Sequence, residues 1–127
     1  MAESRANSHT VLIVDDHADT RALLCLSVQS KGYQVLEAAN GQEAVELVSQ
    51  VAPNLILMDL SMPVLDGYDA TRKIKTRPES SHIPVVAISA FLDESVKRLA
   101  LAVGCSEFIG KPVDSIVFGQ VLSRYLA

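Results

Sequence analysis

The sequence predicts an α/β fold in which a parallel sheet is covered by helices on both faces, and two patterns carry that prediction. Five short apolar runs, at residues 10–14, 33–38, 54–58, 83–89 and 106–110, punctuate the chain, and segments with helical spacing lie between them. The first, third and fourth runs are nearly continuous in Val, Ile and Leu and do not alternate, as strands buried on both faces read. Strand then helix, repeated five times without a gap, specifies a three-layer α/β domain with right-handed crossovers.

Each element has its own signal. The first strand ends at Asp15-Asp16, and Gly32 marks the stop of the helix that follows. After the second strand, Asn40 caps a helix whose buried stripe is Ala44, Leu47, Val48 and Val51, at i, i+3, i+4 and i+7. The third strand runs into Asp59. Met62-Pro63 and Asp66-Gly67 then turn the chain and start helix three, with Asp66 as a candidate cap. Beyond the fourth strand, Asp93 caps a helix carrying Val96, Leu99, Ala100 and Val103, and Gly104 ends it. Asp114 caps the last helix, whose stripe is Val117, Val121, Leu122 and Tyr125. No repeat, low-complexity stretch or linker interrupts this order.

Composition narrows the function classes. The 127 residues fit one domain with a sizeable core. With 15 acidic against 11 basic residues, the net charge is -4, and no Lys/Arg cluster offers a nucleic-acid surface or a basic membrane-binding helix. No apolar run approaches the roughly 18 residues of a membrane span. Residues 1–9 are polar and small, lack the apolar stretch of a secretory signal, and are expected as a flexible tail before a domain at 10–127. Cys25 and Cys105 form neither a CxxC pair nor a zinc spacing, and read as buried free thiols of a cytoplasmic protein.

In an open parallel sheet, ligands bind beyond the carboxyl ends of the strands. Asp15-Asp16, Asp59, Ser89-Ala90 and Lys111-Pro112 stand there, so three carboxylates, a hydroxyl and an ammonium converge on one rim. Clustered carboxylates repel one another and call for a cation. Oxygen donors, with no His or Cys counted in the set, select a hard ion such as Mg²⁺, which also binds phosphate oxygens. A carboxylate can itself attack phosphorus to give an aspartyl-phosphate, and Lys111 and Ser89 can meet the charge on the phosphoryl oxygens. His17, at the start of helix one, is expected as a solvated rim residue, and His9 and His82 as tail and loop residues.

The stretches VLIVDDHADTR, LILMDLSMPVLDGYDATRKI, VVAISA and FIGKP, in that order and each at a predicted strand end, resemble the receiver domain of two-component response regulators. The resemblance spans residues 10–126. It implies a five-stranded flavodoxin-like sheet of order 2-1-3-4-5 with five helices. It also implies that Asp59 is the phosphoacceptor, receiving its phosphoryl group from a sensor histidine kinase or a histidine phosphotransfer protein. Asp16, Asp59 and the backbone carbonyl of Ser61 would hold Mg²⁺, with Asp15 helping through water. Lys111 would pair with the phosphoryl group across a cis bond to Pro112. Ser89 and Phe108 would form the switch, repositioning a helix 4–strand 5–helix 5 face toward a downstream protein. Phe91, two residues past Ser89, is a candidate modulator of water access.

The expected function is that of a stand-alone phosphorelay component without DNA-binding or enzymatic output domain. It would be an enzyme only in its own phosphorylation and dephosphorylation at Asp59. One competing reading is a binding module that has lost phosphorylation, although every key acid and the lysine are present. Another is a phosphohydrolase working through an aspartyl-phosphate. Such enzymes place a second acid two residues past the nucleophile, where this chain has Ser61. No G-x-G-x-x-G follows the first strand, which argues against a dinucleotide enzyme.

Overall fold

In the computed structural model of the chain, which describes residues 9–60 and 66–126, ten elements alternate strand and helix. In chain order they are β1 (Thr10–Val14), α1 (Ala18–Gln29), β2 (Gln34–Ala38), α2 (Gly41–Gln50), β3 (Leu55–Asp59), α3 (Gly67–Thr76), β4 (Val85–Ser89), α4 (Glu94–Val103), β5 (Glu107–Gly110) and α5 (Ser115–Leu126). The strands form one parallel sheet in the order β2-β1-β3-β4-β5, as expected. The order reverses between β1 and β3, which makes the carboxyl end of that pair the topological switch point. The tail expected at residues 1–9 falls outside the described residues except for His9.

The two-residue period of the strands sorts the core into two layers. Leu12, Val14, Ile56, Met58, Val85 and Ala87 pack against buried residues of α2, α3 and α4. Val11, Ile13, Leu55, Leu57, Val86 and Ile88 point the other way, onto α1 and α5. Every residue of β3 and β4 is therefore buried, and their near-continuous apolar sequences follow from helices covering both faces.

The caps are those the sequence signals. Asn40, Asp66 and Asp93 accept hydrogen bonds from the backbone N–H groups of Glu43, Asp69 and Val96, each at 2.9 Å. Asp114 accepts from Ile116 (2.7 Å) and Val117 (3.2 Å). Gly104 ends α4 with φ +112°, while its N–H and that of Cys105 close on the carbonyls of Leu101 and Ala100. Gly32 also has positive φ (+91°), but it lies beyond Ser30, the residue that closes α1. The fourth strand starts at Val85 rather than Ile83, because Pro84 has no N–H for the ladder.

Candidate functional site

The sheet delivers four strand ends to one cleft. Asp15 follows β1 and is 1% exposed; its backbone N–H donates to Ala38 O of the neighbouring β2 (3.1 Å). Asp59 closes β3, and Ser89 closes β4; both are buried. Lys111 follows β5, tied to β4 by its N–H on Ser89 O (2.9 Å), and its bond to Pro112 is cis, as anticipated.

The Lys111 ammonium bridges two of the acids, with Nζ 3.2 Å from Asp15 Oδ2 and 3.3 Å from Asp59 Oδ2. Burial acts to lower the lysine's pKa, but the Asp59 and Asp15 carboxylates outweigh it and hold the ammonium above its ordinary value. Asp15 is also braced from behind. Its Oδ1 accepts the His17 backbone N–H (2.8 Å), and its carbonyl accepts from Arg21 Nη1 (2.7 Å), a guanidinium that pairs with Glu37 through Nε (3.0 Å).

Three carboxylates against one ammonium leave the cleft with an excess of negative charge. Asp16 Oδ1 is buried there without a hydrogen-bond partner. An orphaned buried carboxylate oxygen among other acids is the arrangement a divalent cation satisfies. Ligand atoms of Asp15, Asp16, His17 and Asp59 all lie within 4.8 Å of one another. The donor set thus fits a small divalent ion, with Asp15, Asp16 and Asp59 as the oxygen donors. The Ser61 carbonyl expected to join them lies outside the described residues, as do Met62 and Pro63.

One expectation is corrected. The cleft is not free of histidine: His17 is exposed, as a rim residue should be, but its Nδ1 lies 3.2 Å from Asp16 Oδ1 and 3.5 Å from Asp15 Oδ1. The cause is its place at the N-cap of α1, immediately after the acid pair, where its side chain makes no capping bond and turns toward the carboxylates. Adjacency to Asp15-Asp16 was the available signal.

The remaining candidates are placed as follows. The Ser89 hydroxyl donates to Phe91 O and accepts from Phe91 N–H, both at 3.1 Å, so it is bound to its own loop. The Phe91 ring is 74% exposed. Phe108 is half-buried on β5 against the layer under α4, with Lys97 Nζ 5.4 Å from its ring centroid. Gly67 has a use beyond turning the chain: a Cβ there would stand 2.1 Å from Asp59 O and 2.7 Å from Leu60 Cα. Helix α3 therefore starts in direct contact with the backbone of the phosphoacceptor candidate, a closeness only glycine permits.

Buried acids at the switch point of a doubly wound sheet, bridged by a lysine just past the last strand and fitted to a divalent cation, define an α/β domain with a candidate cation site at its carboxyl edge. The comparisons with known proteins give the family. The response regulator receiver domain model matches residues 11–122, and the chain belongs to that family, which serves two-component signalling. It is 35% identical to protein PilH of Pseudomonas aeruginosa over 92% of this chain and 97% of PilH. Among solved structures, it matches the receiver domain of the sensor histidine kinase PA1611 from P. aeruginosa, determined with a magnesium ion coordinated in the active-site cleft (TM-score 0.87, 28% identity, 94% of this chain and 98% of that one). It also matches a chain in the co-crystal structure of the Saccharomyces cerevisiae phosphotransfer protein Ypd1 with the receiver domain of Ssk1 (TM-score 0.85, 29% identity, 94% and 89%). Among the described residues no helix is long and apolar enough to cross a membrane.

Proposed function

We propose that the domain is a phosphorelay switch in which Asp59 accepts a phosphoryl group from a phosphohistidine on a sensor kinase or phosphotransfer protein. The observation that carries this reading is the Lys111 ammonium held between the buried Asp15 and Asp59 carboxylates. A carboxylate oxygen of Asp59 attacks phosphorus, the P–N bond of the donor breaks, and the imidazole leaves with the bonding pair and takes up a proton. Asp59 then carries an aspartyl-phosphate, which water later hydrolyses. Asp15, Asp16 and Asp59 would hold a divalent cation such as Mg²⁺, which would supply positive charge against the phosphoryl oxygens. Lys111 is close enough to exchange its contact with the acids for one with a phosphoryl oxygen. Ser89 supplies a hydroxyl to another once it leaves Phe91. The domain catalyses only this gain and loss at Asp59 and turns over no other substrate.

Two surfaces suit the two partners. The donor must reach Asp59, and beside Lys111 a groove of about 570 Å³ opens between α1 and the segment entering α5, lined by Leu23, Leu24, Pro112, Val113 and Phe118. Leu23 is 66% exposed there, an apolar contact for a partner's helix. The phosphorylation signal leaves through the α4–β5–α5 face, where Phe108 and Lys97 meet. The domain acts in the cytoplasm, where the donor kinases present their phosphohistidines.

Intact mass after treatment with acetyl phosphate tests the chemistry. Wild type should gain one phosphoryl group with Mg²⁺ and none without it, and Asp59→Asn should gain none. No gain in wild type with Mg²⁺ bound would favour a module that has lost phosphorylation. Repeated turnover of a generic phosphate ester would favour a phosphohydrolase.

A further inference from the structure

At the cleft one side chain has a donor chemistry that the oxygen ligands do not supply. His17 stands at the N-cap of α1 with its backbone N–H donating to Asp15 Oδ1 at 2.8 Å. The ring is 71% exposed, yet Nδ1 faces inward, 3.2 Å from Asp16 Oδ1 and 3.5 Å from Asp15 Oδ1. Asp16 Oδ1 makes no hydrogen bond despite that approach. Two donors at adjacent corners of a metal's coordination shell, each about 2.1 Å from the ion, sit about 3 Å apart, and opposite corners about 4.2 Å apart. The separations of 3.2 and 3.5 Å are close to those of adjacent corners, while the whole four-residue set, within 4.8 Å, is slightly wider than opposite corners and would draw in on binding an ion.

We infer that His17 Nδ1 is a nitrogen ligand to the divalent cation of this cleft, and that it extends the ions held tightly there from Mg²⁺ and Mn²⁺ to Zn²⁺. The inference rests on the proposed cation-binding role of Asp15, Asp16 and Asp59. Carboxylates and carbonyls serve Mg²⁺ and Mn²⁺, whereas imidazole favours Zn²⁺ and its neighbours. A ring nitrogen added to an all-oxygen set therefore strengthens Zn²⁺ binding far more than Mg²⁺ binding. The side chain is largely exposed, so ligation through Nδ1 disturbs little packing. The competing role for His17 is an ion-pair partner of Asp16 with no part in metal binding.

The test uses the full chain as wild type, His17→Ala and His17→Gln. Bound Mn²⁺ is read by pulsed EPR for nitrogen coupling from a directly ligated imidazole. Zn²⁺ affinity is measured by competition with a chromogenic chelator, and Mg²⁺ affinity by displacement of Mn²⁺. Wild type should show the coupling and both variants should lose it. Zn²⁺ affinity should fall roughly tenfold or more in each variant, while Mg²⁺ affinity changes by less than about twofold. Mn²⁺ bound to wild type without nitrogen coupling, or Zn²⁺ affinity unchanged in His17→Ala, overturns the inference and leaves the carboxylate site standing. Failure of wild type to bind Mn²⁺ at all overturns the inference together with the site reading beneath it.

Discussion

Replacing Gly67 by alanine sets two physical effects of opposite sign against each other. Gly67 is the first residue of α3, and its φ is not in the left-handed region. On local grounds Gly→Ala there should stabilise by about 0.4–1 kcal/mol, because alanine restricts the unfolded chain and suits a helix. The tertiary contact opposes this. The added methyl would lie 2.1 Å from Asp59 O, 2.7 Å from Leu60 Cα and 2.9 Å from Asp59 C, all backbone atoms at the end of a fully buried strand. No flexible side chain can yield, so α3 or the end of β3 must move. Overpacking of this kind costs about 1–3 kcal/mol, and a backbone clash belongs at the upper end. The net expectation is a loss of about 2 kcal/mol, or roughly 6–10 °C in Tm for a domain of this size. Urea unfolding followed by circular dichroism, with a thermal scan beside it, measures the change. A Gly67→Ala protein as stable as wild type, or more so, would show that α3 does not press on Asp59 and would refute the reasoning.

Removing the bridging ammonium with Lys111→Met should cost roughly 3 kcal/mol, since two buried carboxylates lose their counter-charge, and added Mg²⁺ should restore part of that loss by binding the folded state; equal stability with no response to Mg²⁺ in a urea titration would count against the bridge. Glu107 is buried enough to raise its pKa, but hydrogen bonds from Arg124 and Tyr125 prevail and lower it. A depressed folded-state pKa gives stability that is present above the unfolded value of 4.5 and is lost as pH falls through the folded value. Glu107→Gln should therefore flatten the stability–pH curve below about pH 4.5, and an unchanged acid limb would argue against this network. Burial, chiefly, pushes the thiols of Cys25 and Cys105 up to about 11; at pH 8 neither should react with a thiol reagent until the chain is unfolded, as mass spectrometry would report. Phe91→Ala should speed loss of the phosphoryl group by opening the cleft to water, and an unaltered dephosphorylation rate would remove Phe91 from the mechanism.

What the sequence revealed was whatever depends on period and local chemistry. The buried strands, most of the stripes of α2, α4 and α5, and the caps at Asn40, Asp93 and Asp114 are written in neighbouring residues. Val51, Leu99 and Val117, expected on those buried faces, are however exposed, and Phe118 takes the core position on α5. The strand ends followed, and with them Asp15, Asp16, Asp59, Ser89 and Lys111, because a parallel sheet collects its carboxyl ends at one edge. Sheet order did not follow, since period is indifferent to which strand lies beside which; motif resemblance supplied it. Contacts that need the tertiary approach were also hidden. The closeness of Gly67 to Asp59 O exists only once α3 docks on β3. The same holds for Lys75, whose ammonium donates to the carbonyls of Ser81 (2.9 Å) and Ile83 (2.6 Å) and fastens the entry to β4. The aim of His17 Nδ1 is set by the rotamer at a helix start, which no spacing encodes.

On the proposed reading, the same loop contacts explain why the domain can switch. The Ser89 hydroxyl is held by two neutral hydrogen bonds to the Phe91 backbone. Neutral bonds are each worth about 0.5–1.5 kcal/mol net, and one to a charged acceptor about 1.5–3 kcal/mol. Exchanging the first pair for a bond to a phosphoryl oxygen is therefore close to balanced. Phe108 adds a second small term, because turning inward gives up its contact with the Lys97 ammonium, worth about 0.5–1 kcal/mol at an exposed site. A gap this small leaves both arrangements populated and lets the phosphoryl group's charge of about -1.5 to -2 decide between them. Had Ser89 been satisfied by a charged partner, the resting state would lie too deep for one phosphoryl group to shift. Among the described residues its hydroxyl is attached to nothing stronger than the adjacent backbone, which keeps the two states within reach of a single modification.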